Sequence, residues 1–307
     1  MGTPGFAVAT LKKIHEGGCR IVGVITAPDK PAGRGMQVQQ SPVKIYALEQ
    51  GLLVLQPEKL KDPEFLEKLQ SLHAGLQIVV AFRMLPEVVW NMPPMGTINL
   101  HASLLPQYRG AAPINWVIIN GEIETGLTTF KLKQEVDTGD ILLSEKVSIG
   151  ENETAGELHD RMMELGAMLM MKTLTAICNE GLPEQPQSSL MLKDHELSLN
   201  KAPKIFTETG RINWQQPVNK VHNLIRGLSP HPGAFTIFSG KMLKILRAKP
   251  ISDINTIIRP GNFETDRETF LRFACSDGYI DVIELQMEGK KKLAISEFLR
   301  GYHFDQK

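Results

Sequence analysis

Apolar positions along this 307-residue chain recur at two periods, and the switch between them predicts most of its elements. Ala7, Val8, Leu11 and Ile14 repeat at helical spacing behind Pro4, and Gly17-Gly18 stops the run, which predicts a helix over residues 4–17. Cys19 to Thr26 is β-branched and apolar and predicts a strand. Ser41 to Gln50 and Asp62 to Leu72 predict short helices. Leu76–Phe82 is a dense apolar run expected as a buried strand, Thr97–His101 is a second, and Pro86–Trp90 is a short helical segment between them. Gly126–Lys131 and Ile141–Val147 read as a pair of strands. Near-continuous apolar strands alternating with helices predict a mostly parallel sheet covered on both faces.

Thr154-x-x-Glu157 is a capping box that opens a long helix ending at Gly181. Its Met162, Met163, Met168, Met170 and Met171 interleave with Leu158, Leu165, Leu169, Leu174 and Ile177, so the methionines read as core filling. Pro183 and Pro186 mark a linker over residues 183–199. Beyond it, Ala234–Ile237, Met242–Ala248, Thr269–Ala274 and Tyr279–Leu285 alternate with Gly, Pro, Asn and Asp turns, which predicts a small antiparallel barrel. The expected organisation is a catalytic domain over 1–182 and a barrel over 200–307. A parallel sheet of this kind opens with a strand, whereas Met1-Gly2-Thr3-Pro4 already stands in the turn before the first helix; a first strand is therefore expected upstream of residue 1.

Composition narrows the class. With 42% hydrophobic and 22% charged residues the chain is an ordinary globular one. No apolar run approaches the roughly 20 residues of a membrane helix. Cys19, Cys178 and Cys275 are odd in number and widely spaced, which argues for a reducing compartment and against a thiolate metal site. A cytoplasmic monomer without metal is expected. Net charge is zero, yet Lys201–Lys307 holds 17 basic and 11 acidic residues, so the two halves carry opposite excesses. That asymmetry fits a polyanionic partner for the second domain, or simply an uneven solvated surface.

The chemistry concentrates in Ile98–Trp116. On a strand, Asn99 and His101 share a face, and the Ser/Pro/Gly-rich segment after them ends the strand there. An amide donates to a developing oxyanion without titrating, and an imidazole donates or accepts a proton. A carboxylate waits in the turn Val136-Asp137-Thr138-Gly139-Asp140. No Walker loop, Gly-x-Gly-x-x-Gly, nucleophile elbow or His-Glu-x-x-His occurs. Direct acyl-type transfer to an amine fits these residues, while a buried structural histidine and a plain turn fit them as well.

The run Asn99-x-His101-x-Ser103-Leu104-Leu105-Pro106-x-Tyr108-Arg109-Gly110, followed by Asp137-x-Gly139, resembles the signature of the folate-dependent formyltransferases. Pro28–Gly35, Ala111–Ile114 and Arg226–Ala234 extend the resemblance over nearly the whole chain, toward the branch that formylates initiator tRNA. The resemblance implies a Rossmann-like domain followed by an oligonucleotide-binding-type barrel. It implies transfer of the formyl group of 10-formyltetrahydrofolate to the α-amine of methionyl initiator tRNA. Asn99 would hold the carbonyl oxygen, His101 would stabilise the tetrahedral intermediate and pass protons, and Asp137 would orient His101. Phe82, Arg83, Met84 and Leu85 would wrap the pterin, and Ser103, Leu104, Leu105 and Pro106 would border the folate. Lys30 and Arg34, in a Pro/Gly-rich basic loop that could equally be a solvent-exposed linker, would meet the acceptor end of the tRNA. Lys201, Lys204, Lys220, Arg226, Lys241, Lys244 and Arg247 are candidate tRNA-backbone contacts, or ordinary surface charge. Relatives acting on glycinamide ribonucleotide or an amino sugar nucleotide, and a non-catalytic RNA-binding protein of the same fold, are the competing expectations. Arg34→Ala should weaken tRNA use while leaving folate binding nearly unchanged; equal losses in binding measurements with each substrate would refute that role.

Overall fold

The structure, a computed structural model, describes residues 1–32, 37–179, 181–191, 199–252 and 258–302. The chain forms two units. The first comprises Met1–Gly110, Thr125–Val147 and His159–Lys201, and the second Ala111–Glu124, Ser148–Leu158 and Ala202–Lys307.

In the first unit the strand Thr97–His101 is central. Gln77–Val80 pairs with it in parallel, Val79 opposite Asn99, and Glu124–Lys131 pairs with it antiparallel, His101 opposite Thr128. Ile141–Ser148 completes this four-stranded sheet. Val24–Ile25 and Val54–Leu55 form a second, parallel pair. The strand expected over Cys19–Thr26 is therefore only Val24–Ile25, because its ladder partner is itself two residues long. Met1 and Gly2 lie between the two sheets: the Gly2 amide donates to Ile25 O at 3.1 Å, and Val80 N donates to Met1 O at 2.9 Å. Beside them Ile14, Val24, Ile78, Leu174 and Ile177 line an apolar cavity of about 660 Å³.

Three helices follow the sequence pattern closely: Gly5–Glu16, Pro42–Glu49 and Pro63–Ser71. Ser41 and Asp62 cap the latter two, accepting from Lys44 N and from Glu64 N and Phe65 N. The long helix Ala155–Asn179 lies against the sheet. Ile98 and Leu100 are buried; a Cβ added at Gly166 would stand 2.8 Å from Leu100 Cδ2, so glycine permits the close approach. Met162 and Met170 are buried as core filling, whereas Met168 is exposed. No helix among the described residues is long and apolar enough to cross a membrane.

The second unit holds an antiparallel sheet in the order Ala234–Phe238, Lys241–Ser252, Gly278–Met287, Leu271–Ala274, Phe263–Thr265, with Leu293–Ala294 also on Gly278–Met287. It curls as a half-barrel around Leu243, Ile245, Leu271, Ile280 and Leu285, all fully buried. The amphipathic helix Val218–Gly227 covers it with Val218, Val221 and Ile225. This helix, Pro113–Ile119 and Ile295–Gly301 are absent from the sequence expectation. Pro113–Ile119 belongs to this unit because Asn115 Nδ2 donates to Gly227 O at 2.8 Å and Ile119 packs where a side chain at Gly227 would lie.

The capping box is formed as read. Glu157 Oε2 accepts from Thr154 N at 2.9 Å and Thr154 Oγ1 at 2.8 Å, and Thr154 Oγ1 accepts from Glu157 N at 3.3 Å. The Thr154 amide, with the Arg247 guanidinium also donating, lowers the Glu157 carboxyl to about 2 from its usual 4.5. A depressed carboxylate stabilises the fold above the unfolded value and loses that contribution as pH falls through the folded one. Glu157→Gln should therefore make the decline of stability between pH 4.5 and about 2 shallower, measured by urea unfolding across that range.

Candidate active site

Asn99 and His101 leave the sheet face opposite Ile98 and Leu100. The His101 side chain is 7% exposed, and its ring meets Phe130 edge-on. Its Nε2 lies 3.0 Å from the Tyr108 carbonyl oxygen. A carbonyl only accepts, so Nε2 carries the hydrogen in this contact. Nδ1 thereby faces Asp137, whose Oδ2 is 3.8 Å away and also accepts the Gly110 amide at 3.0 Å. Imidazole and carboxylate lie within ion-pair reach of one another, charged as a pair only when the ring is protonated, and are not directly hydrogen-bonded. Asn99 Oδ1 is buried without a hydrogen-bond partner among the described residues. An unpaired buried acceptor costs about 1–3 kcal/mol, which a ligand N–H would recover.

The residues expected around a folate lie where parallel strands end. Phe82–Leu85 follows Gln77–Val80 and Ser103–Pro106 follows Thr97–His101, and the parallel register puts both segments at the same end of the sheet. Open α/β sheets bind ligands at that end. Phe82 packs half-buried on the core, and Met84 is 77% exposed. Arg83 donates to Glu58 O at 2.7 Å and to Pro57 O, with its guanidinium over the Phe82 ring. Leu85, Ser103 and Leu105 are buried, and Leu104 and Pro106 half-buried. The Ser103 hydroxyl donates to Gln107 O at 2.6 Å, and Leu105 N donates to Thr128 Oγ1 at 3.2 Å. These contacts shape the segment and commit the Ser103 hydroxyl to the chain's own backbone.

The basic residues divide by what they touch. Lys30 is exposed on the strand Lys30–Ala32, which pairs with Gln37–Gln39, and Arg34 falls outside the described residues. Lys201, Lys204, Lys220 and Lys241 are exposed, and Lys204 sits 5.6 Å over the ring of Phe206, itself 63% exposed. Lys244 donates to Pro232 O at 2.6 Å and Arg247 pairs with Glu157. Arg226 is buried and its guanidinium donates to Asn223 Oδ1, Gly150 O and Glu153 O. Its charge is spent inside the unit rather than displayed to a partner.

Comparison with known proteins decides the family. The pattern described as formyl transferase matches residues 1–174, and that of the formyl transferase C-terminal domain matches residues 204–303. The chain belongs to the formyl transferase family. Methionyl-tRNA formyltransferases are among its relatives: the one from Bacteroides fragilis is 51% identical over 99% of this chain and 94% of its own length, and that from Phocaeicola vulgatus 53% identical over 98% and 94%. Among solved structures, a sugar 3N-formyl transferase crystallised with dTDP and 5-N-formyl-THF superposes with a TM-score of 0.66 at 21% identity, covering 94% of this chain and 97% of that one. An N-formyltransferase from Helicobacter canadensis, in complex with folinic acid and dTDP-3-aminofucose, gives 0.66 at 20%, covering 95% and 97%.

In this formyl transferase the structure also brings in residues that sequence reasoning left unassigned. Tyr108, buried and at φ +57°, supplies the carbonyl that holds His101. Gln187, expected in a linker, is 3% exposed on the helix Gln187–Met191 and touches the Asp137 turn. Neither stood out in the sequence, because Tyr108 uses its own backbone carbonyl and the Gln187 side chain meets backbone carbonyls distant along the chain. Gly139 has a steric reason: a Cβ there would stand 1.5 Å from the Lys131 carbonyl oxygen. Gly139→Ala should displace the turn, lowering the thermal midpoint and abolishing formyl transfer; a variant that keeps both would show that the turn tolerates a side chain.

Proposed function

We propose that this formyl transferase moves the formyl group of 10-formyltetrahydrofolate to the α-amine of methionine on initiator tRNA, with Asn99, His101 and Asp137 around the reacting carbon. Two supports carry the reading: half-identity over nearly the whole chain to methionyl-tRNA formyltransferases, and an imidazole clamped between the Tyr108 carbonyl and the Asp137 carboxylate. The solved sugar formyltransferases share the fold at about one-fifth identity, which carries no substrate assignment.

When bound, the folate supplies a formyl group on nitrogen, ready for direct passage to an amine. Met84 and the half-buried Phe82, with the segment Ser103–Pro106, form the wall available to its ring system. Transfer requires a proton to leave the incoming amine and one to reach the departing nitrogen. His101 Nδ1 is the atom placed to hold it, since Nε2 is committed to Tyr108 O, and Asp137 stabilises the cation that results. The Asn99 amide donates to the formyl oxygen as negative charge gathers there, and its unpaired Oδ1 accepts from the amine.

For the tRNA, Lys30, Lys201, Lys204, Lys220 and Lys241 supply exposed charge, and the Phe206–Lys204 pair presents a stacking face beside a cation. Lys244 and Arg247 would contribute from partly committed positions.

Formyl transfer from labelled cofactor should proceed to charged initiator tRNA and not to charged elongator tRNA, free methionine or an amino sugar nucleotide; preference for a small amine would overturn the reading. In the same assay Asn99→Ala and His101→Ala should each lower kcat by about two to three orders of magnitude.

A further inference from the structure

The turn that carries Asp137 is held in an uncommon conformation. Asp137 has φ +55°, in the left-handed region that residues other than glycine enter infrequently, aspartate and asparagine more readily than most. Its carboxylate must nonetheless stay within a fraction of an ångström of one place to serve the imidazole. The Gly110 amide meets Oδ2 at 3.0 Å, but one hydrogen bond to a side-chain oxygen does not fix a backbone.

The backbone is gripped from elsewhere. Gln187 Nε2 donates to the carbonyl oxygens of Asp137 at 2.9 Å and of Gly139 at 2.8 Å, one on each side of Thr138. Its Oε1 accepts from Arg109 Nε at 3.1 Å and Nη2 at 2.6 Å. Both donor hydrogens and both acceptor positions of one buried amide are thus used, so its orientation has no alternative. Gln187 is itself registered against the sheet, since Gln185 and Ile141 exchange backbone hydrogen bonds at 2.8 and 2.9 Å. Arg109 closes the ring: it binds Gln187 and adjoins Gly110, whose amide holds the Asp137 carboxylate. Burial lowers the Arg109 guanidinium and the nearby Asp137 and Glu135 carboxylates oppose that, so its charge is retained next to the turn.

We propose that Gln187 is a positioning residue for formyl transfer, holding the Asp137 carboxylate against His101 through the two turn carbonyls, with Arg109 as the brace that orients it. This rests on the reading of His101 and Asp137 as the proton-handling pair. A glutamine is suited to the task where a glutamate is not. Only the amide offers two donors to the carbonyls and an acceptor to the guanidinium at once; a carboxylate keeps the second contact and repels the first.

The test is Gln187→Ala alongside the isosteric Gln187→Glu, assayed well below each variant's thermal midpoint. Both should lower kcat by about 100-fold, the loss expected from a small misplacement of a catalytic group, with KM for folate and tRNA within about threefold of the parent. A residue that only stabilises the fold would lower the midpoint and leave kcat intact, and that outcome overturns the proposal; so does a rise in KM alone. A second readout needs no activity. Amide hydrogen exchange at Gly110 should accelerate in both variants while the amides of Gln77–Val80 keep their protection, because the acceptor at Asp137 has moved and the core has not. Unchanged exchange at Gly110 would refute the grip. If the parent chain transfers no formyl group yet Gly110 exchange responds, the positioning stands and the assigned reaction fails.

Discussion

Pairing of Thr97–His101 on both its edges is the constraint from which the site follows. Gln77–Val80 holds one edge in parallel and Glu124–Lys131 the other in antiparallel register, so this strand cannot slip by one residue without inverting every side chain on it. Its apolar alternates Ile98 and Leu100 are buried, and Gly166 of the long helix lets that helix approach Leu100 closely. The burial of those two residues thereby fixes which way Asn99 and His101 must face. The polar face that carries Asn99 and His101 is a consequence of hydrophobic packing on the other.

A second layer converts a direction into a geometry. Strand pairing aims the imidazole, but its rotation about the ring axis is set by the Tyr108 carbonyl, and Tyr108 occupies a left-handed backbone position. Asp137 is held the same way, by an unusual backbone conformation stabilised from outside itself. Both residues that face the histidine ring nitrogens thus sit at left-handed turn positions braced by hydrogen bonds, an arrangement expected where placement matters more than local stability. The low exposure of this pair also strengthens its electrostatic interaction relative to one in water.

The second unit solves a different problem. Its core is a curled antiparallel sheet filled with branched aliphatic side chains, and its lysines at 204, 220 and 241 remain outside. Arg226 shows why a list of basic residues overstates a binding surface. It lies in a stretch matching the family pattern, yet its guanidinium satisfies Asn223 and the carbonyls of Gly150 and Glu153, tying segments of one unit together. Guanidinium groups have five donors and suit such internal bracing as well as they suit phosphate.

Much of this was legible in the amino-acid order. Periodicity located Thr97–His101 to the residue and Pro42–Glu49, Pro63–Ser71 and the long helix to within a few; spacing put Asn99 and His101 on one face; and Thr154 with Glu157 announced a cap that the structure forms. These features are encoded locally, by side-chain period and by residues that hydrogen-bond within three positions of themselves. What needed the tertiary structure was whatever depends on contacts across the chain: the distance from His101 to Asp137, the interleaving of Pro113–Ile119 with the second unit, and the conversion of an apparent linker into the helix that bears Gln187. A glutamine acting through carbonyls 48 and 50 residues away leaves no mark on its neighbours, because backbone acceptors are the same at every position and only folding decides which of them meet.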